Sequence, residues 1–201
     1  DEAVDHYRQA LQIWRELHDR YGEGLTLSNL GDIHRKLGRP DQAIECYERA
    51  LQICREIDNR YGEGAVLDNL GDVYEDLNRH QDAILHYNQA LRISQEIGDH
   101  FAEGNTLDNL GCANYRAGDY EPAQQFLRQA LVLREEINDR RGEAITRHHL
   151  GVVCSAADDL VEAHQMWRQA LEIFDELTEP HTIQIRVGFD IDEESDSPFD
   201  T

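Results

Sequence analysis

Lysine is almost missing from this chain: Lys36 stands alone among 19 basic residues, and 41 acids leave a formal charge of −22. Nucleic acid and anionic membranes are bound through basic patches, so neither is an expected partner, whereas a basic protein or peptide is compatible. Long apolar runs are absent too, and nothing approaches the roughly 18 residues that a membrane-spanning helix needs. Cysteine is sparse. Cys46, Cys54, Cys112 and Cys154 form no CxxC pair and no signal peptide is visible, so free thiols in a cytoplasmic setting are expected. No phosphate loop, dinucleotide fingerprint or nucleophile elbow occurs, and acid pairs such as Asp158-Asp159 lack any pocket context, so neither catalysis nor a cofactor is expected. His148 and His149 are adjacent and so point in different directions from a helix. No Cys or His stands three or four positions away to complete a metal site with either, and none is expected.

What the chain has in abundance is itself. The stretch from Glu63 to Leu91 recurs forty positions earlier and forty later: Asn-Leu-Gly lies at Asn29–Gly31, Asn69–Gly71 and Asn109–Gly111, and His149-Leu150-Gly151 follows at the same interval. Ala-Leu keeps the same step from Ala10 through Ala50, Ala90 and Ala130 to Ala170. A fixed period of 20 to 50 residues marks a stacked-repeat protein, in which each unit buries its apolar face against its neighbours. Function is then expected on a shared surface.

Each unit reads as two helices. In the first, Asp19 can cap a helix whose buried face is Leu27, Leu30 and Ile33, with Glu23 complementing the helix dipole. Asn59, Asp99 and Asp139 can cap the later copies. The helix stops near Leu37, and the next position holds Gly38, Asn78, Gly118 or Asp158, residue types that tolerate a left-handed backbone. Pro40 and Pro122 open second helices, where a missing N–H costs little. That helix is expected to bury Ala43, Ile44, Tyr47, Ala50, Leu51 and Ile57. Glycine inside a helix costs about 1 kcal/mol relative to alanine. Gly31, Gly71, Gly111 and Gly151 therefore imply a close helix approach, with Ala43, Ala83, Ala123 and Ala163 expected opposite. Residues 3–17 match a second helix without its first, so the chain is expected to begin inside a longer protein.

Leu70, Gly71, Ala83, Tyr87, Ala90 and Leu91, with their copies, resemble the tetratricopeptide repeat over roughly residues 3–177. The forty-residue unit and the phrase from Ile97 to Gly104 are similar to the long-repeat branch. That branch includes Pins-type adaptors and the sensor arrays of bacterial signalling ATPases and transcriptional regulators. The resemblance implies an all-α, right-handed superhelical solenoid. It also implies a concave groove, lined by the first helices, that binds a peptide or a partner segment. By helical spacing that face carries Ser28, Asn29, Asp32 and Arg35; Asp68, Asn69, Asp72 and Asp76; Asp108, Asn109, Cys112 and Arg116; and His148, His149 and Val152. The ladder Asn29, Asn69, Asn109 can pair with the backbone of an extended ligand, or instead bond to the adjoining helix. Five groove acids against Arg35 and Arg116 favour a basic guest. The fourth copy departs from the pattern, with His149 for asparagine.

The array is expected to span residues 1–178, as one half repeat plus four repeats. Beyond Pro180, Ile183, Ile185, Val187, Phe189 and Ile191 alternate with polar residues, an extended pattern that runs into the acidic tail of a 179–201 segment. That tail, or the array ends, offers a route to self-association.

Overall fold

The alternation of helix and tight turn is what the computed structural model contains over residues 2–177, the residues it describes. Among them run nine α-helices: α1 (Glu2–Glu16), α2 (Arg20–Lys36), α3 (Pro40–Glu56), α4 (Arg60–Asp76), α5 (His80–Ile97), α6 (His100–Ala117), α7 (Tyr120–Glu136), α8 (Arg140–Ala156) and α9 (Leu160–Leu177). None is long and apolar enough to cross a membrane. The alternating segment and acidic tail after Pro180 lie outside the described residues.

The local signals act as their chemistry requires. The side chains of Asp19, Asn59, Asp99 and Asp139 each accept a 3.0 Å hydrogen bond from the backbone N–H three residues on, closing the N-termini of α2, α4, α6 and α8. Gly38, Asn78, Gly118 and Asp158 adopt φ of 66, 57, 88 and 63°. The turn between consecutive units uses the same device at His18, Asp58, Gly98 and Asn138, with φ of 55, 54, 70 and 57°. Asp58, Gly98 and Asn138 are again residue types that tolerate a left-handed backbone, and only His18 departs from them.

The chain divides into two compact units, Asp1–Thr106 and Leu107–Thr201. In the first, α2 pairs with α3 and α4 with α5, while α1 packs on α2 and α3 on α4. Its core is Val4, Leu11, Leu27, Leu30, Tyr47, Ile53, Leu67, Leu70, Val73 and Ile93. In the second, α8 pairs with α9 and packs on α7, around Leu127, Leu150, Val153, Trp167, Ile173 and Phe174. Burying each such side chain contributes about 1.5 to 3 kcal/mol.

Two expectations about packing need correction. Ile57 is not in the core; it caps α3 and is 36% exposed, and Ile53 and Cys54 one turn earlier fill the space instead. The alanines are fully buried, but a large side chain is what each helical glycine meets first, and only at Gly111 is the expected alanine also close, through the Ala123 carbonyl oxygen at 3.3 Å. A Cβ added at Gly31 would lie 2.6 Å from the Tyr47 ring, and at Gly111 2.5 Å from Leu127 Cγ. Gly71 faces Tyr87 and Gly151 faces Trp167 in the same way. The glycines make room for a large side chain of the second helix, and the small alanines let that helix come near enough to insert it.

A buried carboxylate then ties neighbouring helices together. Glu23, 6% exposed, accepts from Arg15 of α1 at 2.8 Å and from Arg20 at 2.5 Å, and Arg20 also reaches Glu56 of α3. Burial pushes the Glu23 carboxyl up, but hydrogen bonds from Arg15 and Arg20 outweigh it and hold the group below the usual carboxylate range. Glu63 repeats the arrangement with Arg55 and Arg60 at 2.8 and 2.5 Å. In the second unit Glu143 is held by Arg140 and Arg147 at 2.7 and 2.9 Å. The third copy is weaker: Gln95 and His100 stand where the first two have arginine, at 3.0 and 3.2 Å from Glu103.

Candidate functional site

In the first unit the first helices α2 and α4 lie side by side. Of the residues assigned to the groove, Asn29, Asp32, Asp68, Asn69 and Asp72 are half-buried there and Asp76 is exposed. Their carboxylates already have partners. Tyr47 donates its phenol hydrogen to Asp32 at 2.5 Å, and Tyr87 to Asp72 at 2.8 Å. Arg35 spans Asp72 and Asp76 at 2.5 and 2.6 Å, and Thr106 donates to Asp68 at 2.9 Å. Burial, then the neighbouring aspartates, raise both phenols far above their ordinary range, so they stay protonated donors. Burial works against the Arg35 charge, but Asp76 and Asp72 more than compensate and fix it. These partners satisfy the carboxylates without cancelling their charge, since Tyr47 and Thr106 are neutral and the single Arg35 faces both Asp72 and Asp76. Asn69 donates to Asp32 at 3.4 Å, a long bond that ties the ladder to the adjoining helix without locking it.

What opens on this face is apolar. A cavity of about 110 Å³ is lined by Tyr21, Leu25, Ser28, Ile53, Ile57, Tyr61 and neighbours. A second, of about 230 Å³, is lined by Tyr61, Ala65, Asp68, Ile93, Ile97, Phe101 and neighbours, with Asn69 at its wall. Every residue around the first cavity has its counterpart, forty positions on, around the second. Tyr61 belongs to both. The aromatics Tyr21, Tyr61 and Phe101 are 60, 68 and 60% exposed, a ladder that nothing in the core requires. Two independent copies of one cavity are a built feature of the repeat. The sequence signal was available: an aromatic two residues after each of Asp19, Asn59 and Asp99, on the far side from the buried leucines.

In the second unit the assigned residues divide. Asp108 is buried, Asn109 and His149 are half-buried, and Arg116 is exposed in the last turn of α6. Thr146 donates to Asp108 Oδ1 at 2.7 Å, and His149 Nδ1 lies 2.8 Å from Asp108 Oδ2. Burial disfavours charge on both, yet each holds the other ionised: His149 is raised well above its ordinary value and Asp108 lowered. Burial, then the charge on His149, pushes His148 down to about 4, leaving it neutral. Cys112 completes the group, and one donor atom from each of Asp108, Cys112 and His149 lies within 4.8 Å of the others. The expectation of no metal site weighed only Cys and His on one helix, whereas this cluster pairs a carboxylate and a thiol on α6 with an imidazole from α8.

Residues 1–56, 23–96 and 86–136 match the sequence profile of the tetratricopeptide repeat, together reaching across 1–136 of the 201 residues. The chain belongs to the tetratricopeptide repeat family. Its all-α repeat fold recurs in BtubC of P. vanneervenii at 22% identity and a TM-score of 0.83, over 92% of this chain and 80% of that one. Aspartyl phosphate phosphatase F of Bacillus subtilis is similar at 14% identity and a TM-score of 0.84, over 91% and 48%. A Rap protein complexed with Competence and Sporulation Factor matches at 16% and 0.79, over 91% and 52%. The tetratricopeptide array thus spans about half the length of the last two, and at these identities the likeness carries the fold alone. No curated protein sequence matches it. Within the family pattern, Asp32, Asp68 and Asp108 accept from Asn69, Thr106 and Thr146 of the next first helix, while Tyr21, Tyr61 and Phe101 face outward and the fourth copy has Arg141 at that place.

Proposed function

We propose that this tetratricopeptide array is a protein-interaction module whose first unit holds an extended partner segment, with apolar side chains seated in the two cavities on either side of Tyr61. The observation that carries this reading is the recurrence of one apolar cavity at the repeat interval, walled by exposed aromatics. Packed helices lie about 8 to 10 Å apart, a distance an extended chain covers in roughly three residues. The guest therefore carries two apolar residues about that far apart, with Asn29 and Asn69 pairing with its backbone between them. Affinity comes from burying the apolar anchors, and the net negative charge of the array steers a basic segment toward it without supplying most of the binding energy.

Panning a random peptide display library on the full chain, with counter-selection on Tyr61→Ala, tests this. Enriched peptides share spaced apolar residues, and Tyr61→Ala weakens them by about 2 kcal/mol, roughly thirtyfold, because its ring walls both cavities. Enrichment of sequences that bind Tyr61→Ala equally well would overturn the assignment. A second reading, a sensor array within a longer signalling protein, rests on the resemblance of the forty-residue unit to such arrays, and is compatible with this chain spanning about half of the Bacillus subtilis phosphatase and of the Rap protein. It places the same cavities under a signal peptide or a regulated domain of the parent chain.

A further inference from the structure

Two residues of the second unit break the forty-residue repeat, and they meet. Where three copies carry Asn29, Asn69 and Asn109, the fourth carries His149; where the first two carry Asp32 and Asp72, the third carries Cys112. Asp108 and Cys112 stand four apart on α6, so they share a face one turn from each other. His149 reaches that face from α8, with Nδ1 2.8 Å from Asp108 Oδ2. We propose that Asp108, Cys112 and His149 form a binding site for one zinc ion, independent of the cavities around Tyr61.

The donor set is a carboxylate, a thiolate and an imidazole, which together suit a borderline tetrahedral ion. At ordinary zinc bond lengths of about 2.0 to 2.3 Å, tetrahedral donors sit roughly 3.5 Å apart. The cluster, with donors within 4.8 Å, closes onto an ion by side-chain rotation of about an ångström. Asp108 is fixed for this by Thr146, whose hydroxyl donates to its other oxygen at 2.7 Å, the kind of support that orients a metal-bound carboxylate. Cys112 and His149 are half-exposed, so an ion can enter, and the fourth position stays open to water. Binding releases the proton shared by Asp108 and His149 together with the thiol proton of Cys112. The other cysteines, Cys46, Cys54 and Cys154, are buried elsewhere and do not compete.

Calorimetric titration of the reduced full chain with zinc, and absorption titration with cobalt(II), test the proposal. One zinc per chain is expected, with a thiolate-to-cobalt charge-transfer band. His149→Asn and Cys112→Ser should each weaken zinc by about 100-fold or more, beyond the 10- to 100-fold typical of losing a supporting residue. Thr146→Val should cost about 10-fold. His149→Asn places in the fourth copy the residue the other three already carry, so the fold tolerates it, and circular dichroism checks this. Zinc affinity equal in wild type and both variants, or a cobalt complex without the thiolate band, would overturn the site.

Discussion

Alanine at Gly71 should destabilise the fold and alanine at Gly64 should not, although the two positions lie two turns apart on α4. A Cβ at Gly71 would sit 2.6 Å from Tyr87 Cδ1 and 2.7 Å from Cζ. The ring cannot swing aside freely: it is 2% exposed and its hydroxyl is committed to Asp72 at 2.8 Å. Overpacking of this kind costs about 1 to 3 kcal/mol, and a hydrogen bond to a charged group lost as the ring tilts costs about 1.5 to 3 kcal/mol more. Better helix propensity returns only about 1 kcal/mol. Gly71→Ala is thus expected to destabilise by about 1.5 to 5 kcal/mol, a fall in Tm of roughly 3 °C or more for a chain of this size. At Gly64 the nearest atom is a methyl, Ile93 Cγ2, at 3.2 Å, and the fourth copy already has a fully buried Ala144 at that place. Gly64→Ala is expected to be neutral or to stabilise by up to about 1 kcal/mol. Thermal unfolding followed by circular dichroism reads both. Shifts of the same sign would refute the idea that the Tyr87 ring is what demands glycine.

Glu23→Gln should destabilise by about 1 to 2 kcal/mol at pH 7, where the carboxylate binds two arginines. The folded carboxyl titrates below its unfolded value of about 4.3, so its contribution is whole above that pH and fades as pH falls below it. Urea midpoints of wild type and variant should therefore converge as the pH falls below about 4.3, and a constant gap would count against the linkage. Restoring the weak third clamp with Gln95→Arg and His100→Arg should raise stability by about 0.5 to 1 kcal/mol, with part of the gain lost in high salt; no gain at low salt would contradict the copy-to-copy comparison. Asp72→Arg is a poor probe of partner charge, since it also strips the partners of Tyr87 and Arg35. Asp76→Asn, at a more exposed carboxylate, should lower affinity for a basic selected peptide several-fold at low salt and little at high salt, as measured by calorimetry; salt-independent loss would rule out steering.

The helical hairpins, their caps and their left-handed exits were legible because each depends on a residue type at a fixed step: Asp19, Asn59, Asp99 and Asp139 at one end, Gly38, Asn78, Gly118 and Asp158 at the other. Tertiary partnership was harder to read. The pairing of Gly31 with Tyr47 and of Gly71 with Tyr87 depends on how far an aromatic ring reaches between helices, and helical spacing within one element carries no such information. The acids assigned to the groove face can be counted from sequence, but which of them meet Arg35, Tyr47 and Tyr87 is decided across helices. Ile57 failed for a simpler reason: it sits where the helix ends, so its apparent place in the 3.6-residue period no longer fixes its direction. The cluster of Asp108, Cys112 and His149 is hard to see in the sequence because His149 lies 37 positions from Cys112 and 41 from Asp108, and Asp108, four from Cys112, is a carboxylate, a residue type not weighed as a ligand. Tyr21, Tyr61 and Phe101 were visible as a repeating aromatic and needed only the question of why a ring should recur away from the core.

The most direct test of the interaction module is a structure of the full chain bound to a peptide selected on it. The account predicts an extended guest across α2 and α4, with one apolar side chain on each side of the Tyr61 ring and backbone hydrogen bonds to Asn69. A guest seated elsewhere on the molecule, leaving both cavities beside Tyr61 empty, would contradict it.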